Sequence, residues 1–267
     1  MNGPLWTSQD IIRATRGRCA VDFAATGVSI DTRSIQPGDL FVALQDVRDG
    51  HDFVADALAA GAAGALVNRK PEGVANDAPL LVVNNVLQGL EKMAEAARAR
   101  TQARVIGVTG SVGKTGVKEM LRTALSTTGL THAPEKSFNN HWGVPLTLAR
   151  MAPEVDFAAI EMGMNHPGEI SPLSRLSQPD AAIITTIAPV HMAAFENVEQ
   201  IADAKAEIFD GLRKGGAAIL NADNPYFDRL ASAAKARGAQ VLAFGHGDAC
   251  DARLEHARVT SAATVVK

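Results

Sequence analysis

Short apolar runs alternate with longer amphipathic stretches along most of the chain. Apolar runs bounded by turn residues read as buried strands, and stretches with apolar residues three and four apart read as helices. In the first hundred residues, the turn Pro37-Gly38 introduces a strand over 39–44, and 51–60 reads as a helix stopped by Gly61. Residues 64–67 and 80–83 read as short buried strands, and 86–100 as a helix. From Arg104 onward the rhythm is regular. Strands are expected over 104–109, 157–161, 181–186, 217–220 and 240–244, with helices over 114–128, 198–211 and 225–237. Strands alternating with helices predict an α/β fold with a mostly parallel sheet and helices on both faces. We place a small α/β domain at 1–100 and a larger sheet domain at 101–267. Residues 248–267 carry no strong pattern, so the second domain reads as incomplete at its end.

Composition changes this picture little. Apolar residues make up 46% and charged residues 21%, values of an ordinary globular protein. The net charge of −3 excludes a generally basic surface, so neither nucleic acid nor an anionic membrane is an expected partner. No apolar run is long enough to span a bilayer, and the N-terminus lacks the pattern of a signal peptide. Two cysteines far apart in sequence, Cys19 and Cys250, provide no disulfide framework and fit a reducing compartment, the cytoplasm. A monomer is the default expectation.

The strongest motif is VIGVTGSVGKT over 105–115. An apolar strand enters a Gly-rich turn, then Gly-Lys-Thr, then a helix marked by Val117, Met120, Leu121, Ala124 and Leu125. This is the context of a phosphate-binding P-loop, in which backbone amides of the loop and helix N-terminus face phosphate oxygens. Gly110, Ser111, Val112 and Gly113 would form the cradle. Lys114 would reach the outer phosphates of ATP, and the Thr115 hydroxyl would meet Mg²⁺. The usual pattern has glycine where this chain has Val108, with glycines at 107 and 110 instead.

Three further residues stand out. Glu161 closes an apolar strand, and His191 follows another, so both emerge at the carboxyl edge where open α/β sheets bind ligands. Lys205 lies in the apolar stripe formed by Val198, Ile201, Ala202, Ile208 and Phe209, on a helix that Asn197 can cap, with Gln200 in capping-box position. Asp203 and Glu207 point the other way. A lysine on the inward face is either a stem that reaches out to water or an amine held in a site, where burial favours its neutral form. A neutral amine can react with CO₂ to give a carbamate, which is a carboxylate-like metal ligand.

These residues resemble the ATP-dependent Mur ligases of peptidoglycan synthesis. Four stretches carry the resemblance. SIDTR (29–33), PGDLFVAL (37–44) and DGHDF (49–53) are similar to the family's uridine-nucleotide-binding N-terminal domain, and TGSVGKT to its ATP loop. SFNNHWGVPLT (137–147) with EMGMNHPGEI (161–170) resembles segments particular to the dipeptide-adding branch. The last stretch comprises His191, AKAEIF (204–209) and NADNP (221–225). The resemblance implies that Lys114 and Thr115 serve ATP and a first Mg²⁺, and that Glu161, His191 and a carbamylated Lys205 serve a second ion. It implies that Asn221 or Asn224 approaches the adenine, Thr32 and Arg33 the uracil, and Asn139 and Asn140 the reacting phosphate and the muramoyl substrate. Lys114, Lys205, Asn139 and His191 would be the catalytic group.

The implied reaction is ATP-driven amide formation between UDP-N-acetylmuramoyl-tripeptide and D-Ala-D-Ala through an acyl phosphate. Val112 and Gly116 stand where the family often has Asn and Thr. The family's Rossmann-like C-terminal domain has no counterpart in these residues, so a catalytically silent nucleotide-binding fragment is one alternative. A ligase adding a different amino acid and a folylpolyglutamate-synthase-like enzyme are others. The DTR and PGDLFVAL stretches argue against the folate reading. A regulatory P-loop switch is disfavoured because no guanine-specificity motif is present.

Overall fold

The computed structural model describes residues 3–134, 136–190, 194–260 and 263–267. The chain divides into two compact units, 1–102 with 145–154 and 103–144 with 155–267.

The first unit contains β1 (Trp6–Thr7), α1 (Ser8–Thr15), β2 (Arg18–Cys19), β3 (Ala24–Ala25), β4 (Gly27–Ser29) and β5 (Asp39–Val42). A short 3₁₀ turn (Gly50–Phe53) leads into α2 (Val54–Ala59), followed by β6 (Gly64–Val67), β7 (Leu80–Val82) and α3 (Val86–Ala99). Its main sheet has the order β2-β7-β6-β5-β4, parallel except for β2. Strand β6 is buried at every position, as an apolar run without alternation requires. Phe41, Ala65, Val67 and Leu80 pack against Val54 and Ala57 in one core. Residues 145–154, which the sequence leaves in the second domain, belong to this unit. Ala149 O accepts from Trp6 Nε1 at 2.7 Å, and Arg150 Nε donates to Val28 O at 2.6 Å. The guanidinium of Arg100 lies 3.9 Å from the Trp6 ring and donates to Met151 O.

The second unit contains β8 (Arg104–Thr109), α4 (Lys114–Leu125), β9 (Thr131–His132), α5 (Gly143–Ala149), β10 (Phe157–Glu161) and α6 (Ile170–Ser177). It continues with β11 (Ala181–Ile184), α7 (Val198–Ala206), β12 (Ala217–Asn221), α8 (Phe227–Ala236) and β13 (Gln240–Gly245). The short strands β14 (Ala252–Arg253), β15 (Ala257–Val259) and β16 (Thr264–Val266) close the chain as described. Helix α5 crosses the division, only its first two residues being counted here. The sheet order is β14-β13-β12-β11-β8-β10-β9, and every pairing is parallel. The chain leaves β8 toward β10 on one side and returns to β11 on the other. Strand β8 therefore marks a topological switch point, where the loops diverge at the carboxyl edge, the place at which open α/β sheets bind ligands.

Most expected elements are present, with shortened ends. The helix expected over 198–211 is α-helical to Ala206 and then a 3₁₀ turn, Glu207–Gly211. That turn packs directly on α6, where a side chain at Gly211 would collide with the Ser174 backbone. Asn197 caps α7 by accepting from Gln200 N at 2.9 Å. Gln200 Oε1, however, accepts from Glu196 N rather than from Asn197, so the box closes one residue early. Within the patternless stretch 248–267 lie β14 and an antiparallel two-stranded sheet of β15 and β16. Strands of two and three residues are too short for a period-two pattern to show. No helix among the described residues is long and apolar enough to cross a membrane.

Candidate functional site

The loop after β8 folds as its glycines require. Gly110 and Gly113 have φ of +146° and +88°, values that L side chains rarely adopt, and a β-carbon at Gly110 would strike the Thr185 hydroxyl. The strand-end residues beyond β11 secure the loop. Ser111 N donates to Thr186 O at 2.8 Å, and Thr185 Oγ1 donates to Val112 O at 2.6 Å. The Val112 side chain is exposed, so valine here removes no packing contact. Lys114 opens α4 and turns back to donate to Gly110 O at 2.9 Å, across the mouth of the loop.

Strand pairing brings the carboxylate to this loop. Glu161 is opposite Val108 in the β10–β8 register, so its side chain emerges beside the loop. It is buried, and both carboxylate oxygens are used. Oε2 accepts from Thr115 Oγ1 at 3.0 Å, and Oε1 accepts from Asn139 Nδ2 at 2.8 Å. Asn139 is held in turn by its carbonyl, which accepts from Gly163 N at 2.7 Å. Asn140, its neighbour, turns away and accepts from Gly143 N at 2.8 Å.

The two site lysines share one electrostatic environment. Burial pushes the Lys114 ammonium below its ordinary pKa, and the charge of Glu161 draws it part of the way back. Lys205 is 2% exposed. Its burial, reinforced by the positive charge of Lys114, lowers its pKa to about 7. The amine is therefore divided between its charged and neutral forms near neutrality.

Other expected residues are placed less directly. Asn224 Nδ2 donates to Thr186 Oγ1 and Ile187 O, both at 3.0 Å, which ties the turn after β12 to the strand end that holds the loop. Asn221 Oδ1 accepts from Asp223 N within its own turn. Thr32 and Arg33 lie in the first unit, where Arg33 forks onto Asp31. His191 lies outside the described residues. Among the described residues no group of three His, Cys, Asp or Glu side chains could hold a metal ion. Among the described residues, the Thr115 hydroxyl meets the Glu161 carboxylate and the Ser137 hydroxyl at the loop.

Three contributors were not singled out from sequence. Ser137 Oγ lies 3.1 Å from Thr115 Oγ1. Glu207 accepts from Gly168 N, Ile170 N and Ser171 N at the start of α6. Lys118 is fully buried on α4, whereas Met120 of the expected apolar stripe is 65% exposed. Its i+4 spacing from Lys114, in line with Leu121 and Leu125, is the signal that could have found it.

A family model described as the Mur ligase middle domain matches residues 108–266. Another, described as the Mur ligase family catalytic domain, matches residues 24–100. The chain belongs to the Mur ligase family. It is similar to the UDP-N-acetylmuramoyl-tripeptide–D-alanyl-D-alanine ligase of Rickettsia prowazekii, with 36% identity over 94% of this chain and 56% of the relative. Among solved structures, MurF from Acinetobacter baumannii superposes with a TM-score of 0.84 at 30% identity, covering 98% of this chain and 57% of that one. MurF ligase from Thermotoga maritima, solved in complex with ADP, has a TM-score of 0.74 at 27% identity, covering 90% and 55%. The chain thus spans little more than half the length of these Mur ligases.

Proposed function

We propose that this chain is the nucleotide- and muramoyl-substrate-binding part of an ATP-dependent ligase that joins D-Ala-D-Ala to UDP-N-acetylmuramoyl-tripeptide. The observation that carries the reading is the cluster of Lys114, Thr115, Asn139 and Glu161 at the switch point of the sheet. The names of the relatives support the substrate pair, and the ADP complex of one of them supports ATP.

In this reading the amides of Gly110, Val112 and Gly113 cradle the phosphates while the Ser111 amide, committed to Thr186 O, fixes the loop, and Lys114 neutralises charge on the group being transferred. The terminal carboxylate of the tripeptide attacks the γ-phosphorus, ADP leaves, and an acyl phosphate forms. The amine of D-Ala-D-Ala then attacks the acyl carbon. The tetrahedral adduct expels inorganic phosphate and loses a proton, leaving the new amide. Asn139 orients Glu161 and lies beside the reacting groups. Asn224 lines the adenine side, and Thr32 and Arg33 contribute to uracil recognition in the first unit. No protein nucleophile is required. A reaction that consumes ATP belongs in the cytoplasm.

The donor set fits Mg²⁺. The Thr115 hydroxyl and Glu161 carboxylate are hard oxygen donors in mutual contact, the ligand type this ion prefers. They would hold it, and it would supply charge neutralisation to the phosphates. Lys205 fits a second ion only as its carbamate, because an ammonium has no lone pair to offer. Its lowered pKa makes the neutral amine available for that reaction with CO₂.

Calorimetric titration with UDP-N-acetylmuramoyl-tripeptide, with the dipeptide form and UMP as comparisons, tests the reading. Saturable binding that prefers the tripeptide is expected. A folded chain that binds none of the three would remove it.

A further inference from the structure

Lys118 is a charged side chain with no exposure, and the proposed reaction does not use it. It lies one helical turn beyond Lys114 on α4. Its ammonium donates to Pro134 O at 2.6 Å and pairs with Glu119 Oε1 at 2.8 Å. Glu119 also accepts from Arg122 Nε at 2.8 Å. Enclosing an ammonium is unfavourable unless its hydrogen bonds are replaced, and here one replacement comes from a backbone carbonyl on another segment. That segment leads into the loop between β9 and α5. Beyond Pro134, Ser137 reaches Thr115 and Asn139 reaches Glu161. Helix α4 therefore meets this loop twice: at its first turn through Thr115, and one turn later through Lys118.

We propose that Lys118 is a positioning residue that tethers the β9–α5 loop to the phosphate-loop helix, so that Ser137 and Asn139 hold Thr115 and Glu161 in place. The proposal rests on the nucleotide-site reading only for its functional consequence, and the tether itself can be tested without it. With the tether cut, Asn139 is held outside its own loop only by Glu161 and Gly163, and the Glu161 carboxylate loses a fixed donor. Lys118→Met keeps the stem and removes the ammonium. Lys118→Arg keeps charge and donors.

The experiment is hydrogen exchange on the whole chain, with and without Mg²⁺ and the non-hydrolysable ATP analogue AMP-PNP, alongside titration of that analogue. In Lys118→Met, the amides of 136–142 are expected to exchange about tenfold faster while those of β8 keep their protection. AMP-PNP affinity should fall about tenfold, and Lys118→Arg should recover most of both effects. A folded Lys118→Met with wild-type exchange over 136–142 would overturn the proposal. If exchange accelerates while neither protein binds AMP-PNP, the tether stands and the nucleotide reading falls. Should Lys118→Met not fold, the wild-type chain decides. Loop opening and ammonium exposure are then one event, so the loop amides and the Lys118 ammonium, each corrected for its intrinsic exchange rate, should give the same opening equilibrium by NMR. Loop amides that open tenfold more often than the Lys118 ammonium would overturn the tether.

Discussion

The hydroxyl of Thr115 lies 3.0 Å from Oε2 of Glu161, although 46 residues separate them in sequence. The contact exists because β8 and β10 pair in a register that brings both strand ends to the same edge. It gives the phosphate loop a carboxylate whose other oxygen is already occupied by Asn139.

Glu161→Gln should therefore weaken nucleotide binding in a magnesium-dependent way. The amide keeps the shape but loses the charge, and the Thr115 hydroxyl then faces an NH₂ to which it can only be an acceptor. Loss of a charge-assisted contact of this kind costs about 1.5–3 kcal/mol, which corresponds to roughly a tenfold to hundredfold weaker affinity. Titrating AMP-PNP with and without Mg²⁺ checks this. An equal loss in both conditions would mean that Glu161 acts on the fold rather than on the ion.

Lys205 should make stability depend on pH. The group titrates near 10.5 when unfolded and near 7 in the fold. Below pH 7 both states carry the proton, and the full cost of enclosing the charge is present. Between pH 7 and 10.5 the unfolded state binds more protons than the folded one, so stability rises with pH. Lys205→Met should be more stable than wild type at pH 6, by on the order of a few kcal/mol, with the gain shrinking toward pH 10. Urea unfolding of both proteins across that range measures the difference. A gain that is constant or grows with pH would show that Lys205 is not held as an enclosed amine.

Much of this site was legible in the sequence because its parts are local. The strand, glycines and helix of 104–125 are contiguous, and Lys205 betrays itself by lying on the inward face of its own helix. Other features depend on which segments the fold places side by side. Nothing near Ser137 or Thr185 in sequence indicates that they hold opposite sides of the phosphate loop, since β10 and β11 flank β8 only through the order of the sheet. Residues 145–154 carry no mark of their place in the first unit, because each of these anchors, Trp6 to Ala149, Arg100 to Met151 and Arg150 to Val28, ends on a backbone carbonyl that any residue supplies. Glu207 lies on the polar side of its helix, as expected, but there it meets the amides of α6 rather than water alone.

That position makes Glu207 a helix cap supplied from a distant segment. Its carboxylate accepts from Gly168, Ile170 and Ser171, the unpaired donors at the start of α6, and interacts favourably with the positive end of the helix. Glu207→Ala should lower stability by about 1–2 kcal/mol. Glu207→Gln, which keeps an acceptor oxygen, should lose less. Urea midpoints compare the three proteins, and an alanine variant as stable as wild type would show that water serves these amides equally well.

In the first unit, Asp49 gives a pH dependence of the same sign but in the acid range, as a stabilising rather than a destabilising group. Asn68 N–H donates to His51 Nε2 at 3.1 Å, so the ring proton is on Nδ1 and is donated to Asp49 Oδ1 at 2.6 Å. Burial alone would raise the Asp49 pKa. Hydrogen bonds from Arg69, the His51 backbone, Gln45 and the His51 ring outweigh it and hold the carboxyl well below its ordinary 3.8. The stabilisation is present above pH 3.8 and is lost as pH falls toward the folded value, because the unfolded state then takes up the proton first. Asp49→Asn should cost about 1–2 kcal/mol at pH 7, with the half-exposed Arg69 contributing little of it. The gap between variant and wild type should narrow as pH drops below 3.8. Unfolding curves from pH 7 to 2.5 test this, and a gap that persists undiminished at the acid end would show that shape rather than charge at Asp49 holds the 3₁₀ turn to the end of β6.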